Sequence, residues 1–198
     1  MIEINSVWEE LKSNIEKCQK CEFCKNRHKV VVGEGPLDKY KVMIIGEAPG
    51  EDEDLSGRPF VGKAGQLLTD ILERGGNIRR ESLYITNTVK CRPPNNLTPS
   101  TQEVSFCRDF LEAQILLLSP KIIVTLGNVP TKALLGLGQG ITALRGKWFE
   151  WRGIKLFPMF HPSYLLREPS KARNSPKYLT WVDVRALKAK MDELLKDN

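Results

Sequence analysis

The chain has 198 residues, of which 41% are hydrophobic and 27% are charged, a balance typical of an ordinary globular protein. No apolar run approaches the roughly 18 residues that a membrane-spanning helix needs. Acidic residues occupy N-terminal positions that would be basic and then apolar in an export signal. These features argue against a membrane or exported protein, and we expect one cytoplasmic domain spanning residues 1–198.

The net charge of +6 is concentrated in the last quarter of the chain. Residues 145–198 contain 12 Lys and Arg against 6 Asp and Glu, which accounts for the whole excess. Four of these cations lie in a stretch with Pro and Ser that predicts a loop: Arg167, Lys171, Arg173 and Lys177. A basic loop beside a neutral body is either a phosphate-contacting surface or an ordinary solvated face. Composition alone leaves both interpretations open.

Helical and strand patterns alternate along the chain. Apolar residues recur at helical spacing from Ile4 to Ile15 and predict an amphipathic helix that runs into the first cysteines. Short apolar runs predict buried parallel strands at residues 41–46, 83–89, 121–126 and 155–160. Residues 138–151 are expected to form a small hairpin or loop before the last of these strands.

Helices are predicted between and after the strands. One spans residues 64–73 and ends at a Gly-Gly pair. A second begins at Ser100, where Glu103 completes a capping box. A third follows Asn128, and the last spans residues 181–195. This alternation predicts an α/β fold, a three-layer α/β/α sandwich with a four-stranded parallel sheet.

Five cysteines indicate a metal site. Cys18 and Cys21 have CxxC spacing, Cys24 follows three residues later, and Cys91 and Cys107 lie far downstream. Disulfides are not expected in a chain that is not exported. Close CxxC spacing lets two thiolates reach one metal, and a distant second pair completes the site. Zinc and a 4Fe–4S cluster both accept four thiolates, and buried free thiols are the remaining alternative.

Candidate binding residues follow the predicted strands. In open α/β sheets, ligands bind at the carboxyl ends of the strands. The segments at those ends are residues 46–54, 87–94, 127–128 and 161–165. We therefore expect these four segments to gather on one rim of the sheet.

Three motifs in these segments carry a resemblance to a known family. They are GEAPGEDED with GRPFVGKAGQLL at residues 46–68, YITNTVKCRPPNN at residues 84–96 and FPMFHPSYLL at residues 157–166. The sequence resembles the family 4 uracil-DNA glycosylases, the iron–sulfur branch of the uracil-DNA glycosylase superfamily. The resemblance extends from Cys18 to about Trp181. It implies an enzyme that flips uracil out of DNA and hydrolyses its N-glycosidic bond.

The resemblance implies a role for each matching side chain. Phe60 would stack on the flipped uracil, Asn87 would recognise its Watson–Crick edge, and His161 would hydrogen-bond its O2. An amide supplies both a donor and an acceptor, which match the O4 and N3–H of uracil. A base inside a duplex is reached only by extrusion into a pocket. Donors aimed at the departing uracil anion would stabilise the transition state.

The group that positions the attacking water is the open question of this site. The resemblance implies that the backbone of Glu47, Ala48 and Pro49 forms the wall beside the base. In the best-known branch of the superfamily, the residue aligned with Ala48 is an aspartate that orients the water, which alanine cannot do. Glu47 or Glu53 would have to substitute, and Glu47 is preferred because it directly follows a strand.

The cysteines match the ligands of a 4Fe–4S cluster in the family. The matching residues are Cys18, Cys21, Cys91 and Cys107. Cys24 has no counterpart, so which of the N-terminal thiolates bind stays open.

Residues 161–177 are expected to engage DNA. Leu165 corresponds most nearly to an apolar wedge that fills the gap left by the base, with Tyr164 beside it. Phosphates would be held by Arg167, Lys171, Arg173 and Lys177. The alternative is that Tyr164 and Leu165 pack into the core at the start of a helix. The expected partners are uracil-containing single- and double-stranded DNA, with a sliding clamp as a further candidate, and the chain is expected to be a monomer.

Two other functions are alternatives to this one. Residues 57–63 fit the pattern GxxxxGK of a phosphate-binding loop, but Ala64 stands where a magnesium-binding hydroxyl is needed, so nucleotide hydrolysis is rejected. The rival is a non-catalytic iron–sulfur protein that binds DNA or senses redox state. It would need the cysteines and the basic loop, but not Phe60, Asn87 and His161 together.

Overall fold

The computed structural model describes residues 4–37 and 42–195. The strands are β1 (Val42–Gly46), β2 (Tyr84–Asn87), β3 (Ile122–Leu126), β4 (Phe149–Trp151) and β5 (Ile154–Met159). The helices are α1 (Ile4–Glu16), α2 (Phe23–Asn26), α3 (Glu51–Ser56), α4 (Lys63–Asp70), α5 (Thr101–Leu118), α6 (Asn128–Leu135), α7 (Ile141–Leu144), α8 (Pro162–Arg167) and α9 (Pro176–Leu195). A π-helical turn spans Ile71–Gly75, and 3-10 turns span Arg80–Ser82 and Pro94–Asn96.

The sheet has five strands in the order β2-β1-β3-β5-β4. The strands β2, β1, β3 and β5 are mutually parallel, as predicted, whereas β4 is an antiparallel edge strand. The prediction of a four-stranded sheet is therefore wrong by one strand. β4 and β5 form a hairpin through Arg152 and Gly153, which both have positive φ, as a type I′ hairpin turn requires. Residue 41, the start of the first predicted strand, lies outside the described residues.

Helices cover both faces of the sheet. Alternate residues of a strand pack into two different apolar clusters, one on each face. Met43 and Ile45 pack with side chains of α1, α5 and α6 on one face. Val42 and Ile44 pack with side chains of α4, the π-helical turn and α9 on the other. Such strands, buried on both faces, are continuous apolar runs in sequence, which explains why their positions were predicted well.

The helices follow the predicted signals, with some changes of boundary. Ser100 and Glu103 form the capping box of α5, in which the Ser100 N–H donates to Glu103 Oε2 at 2.7 Å. α9 begins at Pro176, five residues before the predicted start, and the Ser175 hydroxyl accepts a hydrogen bond from the Tyr178 N–H. Serine followed by proline is a usual helix start. Among the described helices, none combines the length and apolar character that a membrane crossing requires.

Candidate active site

A cavity of about 1020 Å³ opens at the carboxyl ends of the parallel strands. The four segments predicted to meet on this rim all contribute to its lining. Glu47 follows β1, Asn87 ends β2, Gly127 follows β3 and His161 lies two residues beyond β5. Residues of α3, α4 and α8 complete the wall. The prediction that these loops converge is therefore confirmed.

Asn87 presents a buried acceptor to this cavity. The residue is 1% exposed, and its Oδ1 atom has no hydrogen-bond partner among the described residues. An unpaired buried acceptor is costly, so this atom is suited to an N–H group of a bound ligand. Gly46 lies beside it, and a Cβ there would approach Asn87 Oδ1 too closely and lie 2.5 Å from Cζ of Phe60. Glycine at residue 46 thus lets Asn87 and Phe60 come together.

Phe60 supplies an aromatic face to the same cavity. Its ring centroid lies 5.8 Å from that of His161, with 36° between the two ring planes. The backbone of Phe60 has a φ of 53°, a left-handed conformation that is uncommon for residues other than glycine. Helix α4 packs directly on this residue, since a Cβ at Gly65 would collide with the Phe60 carbonyl.

His161 is held as a neutral hydrogen-bond donor. Its Nδ1 atom accepts a hydrogen bond of 3.1 Å from the Ser163 N–H at the start of α8. The proton of the neutral ring is therefore on Nε2. Burial, together with the nearby charge of Arg167, lowers the pKa of His161 to about 4. The ring is therefore uncharged at neutral pH, and its Nε2–H group is available to donate a hydrogen bond.

Glu47 is one of the carboxylates that line the cavity. It directly follows β1, is half-buried, and receives a hydrogen bond from the side chain of Thr98. Burial raises the pKa of Glu47 above its usual value. A carboxylate in such a position is suited to accept a proton from, or orient, a bound water.

Glu53 is fully engaged with the backbone. Its Oε2 atom accepts from the Gly50 N–H at 3.0 Å, and its Oε1 atom accepts from the N–H groups of Val61 and Gly62, each at 2.8 Å. These bonds make Glu53 a structural residue, so it is a poor candidate for the water-positioning group. They also occupy two of the N–H groups, those of Val61 and Gly62, that a phosphate-binding loop over residues 57–63 would offer to its ligand.

The five cysteines lie around a second, smaller cavity. It is lined by Cys18, Cys21, Cys24, Cys91 and Cys107. Within the described parts of the chain, no three His, Cys, Asp or Glu side chains are arranged to hold a single metal ion. Burial raises the pKa of Cys91 to about 11, and Arg27 donates to its Sγ atom at 3.2 Å. A cavity with this many thiols and a neighbouring cation fits a group that binds several thiolates.

Lys90 lies between the two cavities, and it was not predicted from the sequence. The residue is 1% exposed, and its Nζ atom donates to Asn87 O at 2.7 Å and to Thr86 Oγ1 at 2.8 Å. It also lines the cavity that contains the cysteines. Burial lowers the pKa of Lys90 to about 7, although the nearby Cys107 and Cys91 act against this change. The sequence feature that could have identified Lys90 is its place as the single charged residue in the run that precedes Cys91.

The structure corrects the assignment of the apolar wedge. Leu165 is 1% exposed and packs in the core, because α8 lies against α4. Its neighbour Leu166 is 47% exposed and lines the large cavity, as do Tyr164 and Arg167. The burial of Leu165 favours the alternative that this residue packs in the core, and the exposed leucine at the rim is the next residue.

The predicted basic loop is divided among three elements. Arg167 ends α8, Lys171 and Arg173 are exposed on residues 168–175, and Lys177 is in the first turn of α9. Among the described residues, none of the four cations forms a salt bridge. Arg167 is the one that lines the large cavity.

The fold and the site place the chain in a known class. Residues 32–185 match the model of the family described as the uracil DNA glycosylase superfamily. The chain belongs to this superfamily.

Its relatives define the branch. The chain is 51% identical to the type-4 uracil-DNA glycosylase of Thermotoga maritima over 158 residues, which are 79% of this chain and 81% of that protein. It is 43% identical to the type-4 enzyme of Sulfurisphaera tokodaii over 82% of this chain and 77% of that protein. For the type-4 enzyme of Pyrobaculum aerophilum, the identity is 46% over 79% of this chain and 83% of that protein. Within the superfamily, the chain belongs with the type-4 glycosylases.

Proposed function

We propose that this chain is a monofunctional uracil-DNA glycosylase, which flips uracil out of DNA, hydrolyses its N-glycosidic bond and so starts base excision repair. The observation that carries the proposal is the unpaired, buried Oδ1 atom of Asn87 beside the ring of Phe60. A planar base that carries an N–H group next to a carbonyl fits this pair, with its face on Phe60 and its edge on the amide.

Asn87 distinguishes uracil from cytosine in this arrangement. Uracil offers a donor at N3 and an acceptor at O4, which the two ends of the amide satisfy. Cytosine offers an acceptor at N3 and an amino donor at position 4, so both contacts would be mismatched. Each buried unpaired polar contact costs about 1–3 kcal/mol, and two together are enough to exclude cytosine.

His161 stabilises the leaving group. Cleavage of the glycosidic bond develops negative charge on the uracil O2, and a fixed donor at that position lowers the barrier. The neutral ring, with its proton on Nε2, donates this hydrogen bond without transferring a proton. The bond from the Ser163 N–H to Nδ1 fixes the orientation of the ring.

Glu47 orients the water that adds to the oxocarbenium-like sugar. Its position after β1 and its raised pKa support this role, and it must be ionised to perform it. Ala48, the next residue, lines the cavity but has no polar group that could replace it.

The cysteine cavity is proposed to hold a 4Fe–4S cluster with Cys18, Cys21, Cys91 and Cys107 as ligands. Cys24 lines the same cavity, so the N-terminal pair is the part of this set that experiment must establish. A cluster held by these residues would cross-link the segment between α1 and α2 to the segment that follows β2 and to α5. The side chain of Lys90 lies between the cysteine cavity and the backbone of Asn87.

The DNA-engaging surface is proposed to centre on Leu166. This leucine is exposed at the cavity rim beside Tyr164, where it can enter the gap that an extruded base leaves. The cations Arg167, Lys171, Arg173 and Lys177, which have no acidic partners among the described residues, would contact phosphates on either side.

A uracil-release assay on single-stranded DNA tests the proposed function. The wild-type protein should release uracil and spare cytosine, and Asn87→Asp should release uracil much more slowly. Asn77→Asp, an exposed position away from the cavity, is the matched control and should behave as wild type. DNA binding without any base release by the iron-loaded protein would instead favour the non-catalytic iron–sulfur protein.

A further inference from the structure

Phe60 is held in place by an arginine that the sequence motifs do not single out. The guanidinium of Arg80 donates from Nη1 to Phe60 O at 3.0 Å and from Nη2 to Pro59 O at 2.8 Å. Nη1 also donates to Thr69 Oγ1 of α4 at 3.3 Å. One planar group thus fixes two consecutive carbonyls and joins them to the helix that follows, which an arginine fork does well and a lysine cannot.

Glu34 fixes the orientation of this guanidinium. Its Oε1 atom accepts from Arg80 Nη2 at 2.9 Å, and its Oε2 atom accepts from Arg58 Nε at 2.8 Å. Arg80 is 17% exposed and Glu34 is 26% exposed, so the pair is shielded from most of the solvent. Charge-assisted hydrogen bonds of this kind set geometry as well as energy.

The conformation of Phe60 needs such support. Its φ of 53° is one that a phenylalanine rarely adopts, and conformations of this kind persist only where surrounding contacts over-determine them. Arg80 holds the carbonyl side of residues 59–60, while Glu53 holds the N–H groups of Val61 and Gly62 on the other side. The left-handed backbone directs the ring toward Asn87 and His161.

We propose that Arg80, oriented by Glu34, is a positioning residue that acts through Phe60 to set the stacking face for the flipped base. This inference rests on the proposed function. Without Arg80, the backbone at residue 60 relaxes toward a common conformation and the ring leaves its place over the base. Arg80 itself touches no substrate.

A double-mutant cycle tests the proposal with single-turnover uracil release from single-stranded DNA. Arg80→Met should slow release by about tenfold or more, as misplacement of a binding group does. In the Phe60→Ala background, the same Arg80→Met change should alter the rate less than about twofold, since sites that act only through each other are not additive. Inhibition by free uracil should show the same pattern. Arg79→Met, an exposed neighbour paired with Glu81, should match wild type.

The outcomes are distinguishable. If Arg80→Met slows release equally in both backgrounds, Arg80 acts on the fold and the proposal is overturned. If Arg80→Met does not fold, Glu34→Gln replaces it in the cycle, because that change leaves the arginine but removes its charged orienting partner. An additive result for Glu34→Gln would also overturn the proposal. A wild-type protein that releases no uracil contradicts the proposed function and is separate from either result.

Discussion

Adding one methyl group at Gly46 tests whether Phe60 and Asn87 together define the pocket. A Cβ at residue 46 would lie 2.5 Å from Cζ and 2.7 Å from Cε2 of Phe60, and closer still to Asn87 Oδ1. None of these atoms moves freely, because Asn87 ends a strand and Lys90 binds its carbonyl, while the backbone of Phe60 is held by Arg80. The Gly46→Ala protein must therefore accommodate real overpacking.

The size of the effect follows from this geometry. Overpacking of a well-packed site typically costs about 1–3 kcal/mol, which lowers Tm by roughly 2–12 °C for a chain of this length. Displacement of the ring by about 1 Å should slow uracil release on the order of 100-fold. Thermal melting and single-turnover release from single-stranded DNA measure the two effects. Gly138→Ala is the matched control, because a Cβ there has no atom within 4 Å and should change neither quantity.

Wild-type activity in this variant would contradict the prediction. If Gly46→Ala releases uracil at the wild-type rate, whether or not its Tm falls, then the spacing between Phe60 and Asn87 does not limit base binding. In that case a different pair of side chains must hold the base.

The carboxylate, the cysteines and the rim of the cavity can each be tested separately. The rate of uracil release should fall as pH drops through the raised pKa of Glu47 and be flat above it, since only the ionised carboxylate orients water. Glu47→Gln should release uracil more slowly, and its rate should not show this fall at low pH. Iron-loaded wild-type protein should contain about four irons per chain. Cys91→Ser should lose the iron together with the visible absorbance, whereas Cys24→Ser should keep its iron. Retention of the iron by Cys91→Ser would refute the ligand assignment. Leu166→Ala should slow excision from duplex DNA more than from single strands. Leu165→Ala should instead lose about 2–5 kcal/mol of stability, because it leaves a cavity in the core. Equal effects of Leu166→Ala on both DNA substrates would remove Leu166 from the wedge position.

The strands and the rim of the site were predictable because they depend on local patterns. A strand buried on both faces favours a short run of apolar residues, and β1 and β3 come close to continuous runs of this kind. In β2 and β5 the run is interrupted by polar residues, namely Thr86, Asn87 and Lys155. The carboxyl ends of parallel strands meet at one edge, so the strand pattern was enough to bring Asn87 and His161 together. The capping box at Ser100 was equally visible, since both of its partners lie within four residues. β4 was expected only as part of a small hairpin or loop at residues 138–151, because three residues are too few to show the pattern of a separate strand.

Sequence patterns were thus sufficient for the α/β class, the strand positions, the family and the residues at the strand ends. The packing of the layers was needed to show which leucine of α8 is exposed, because one residue of a helix rotates the side chain by about 100°. The fold of the loop after α3 brings the N–H groups of Val61 and Gly62 to Glu53. Tertiary packing also brings Arg80 to the carbonyl of Phe60, 20 residues away in sequence. The physical reason is that these roles depend on which backbone groups a side chain contacts in the folded chain. The spacing of neighbouring residues in the sequence does not determine those contacts.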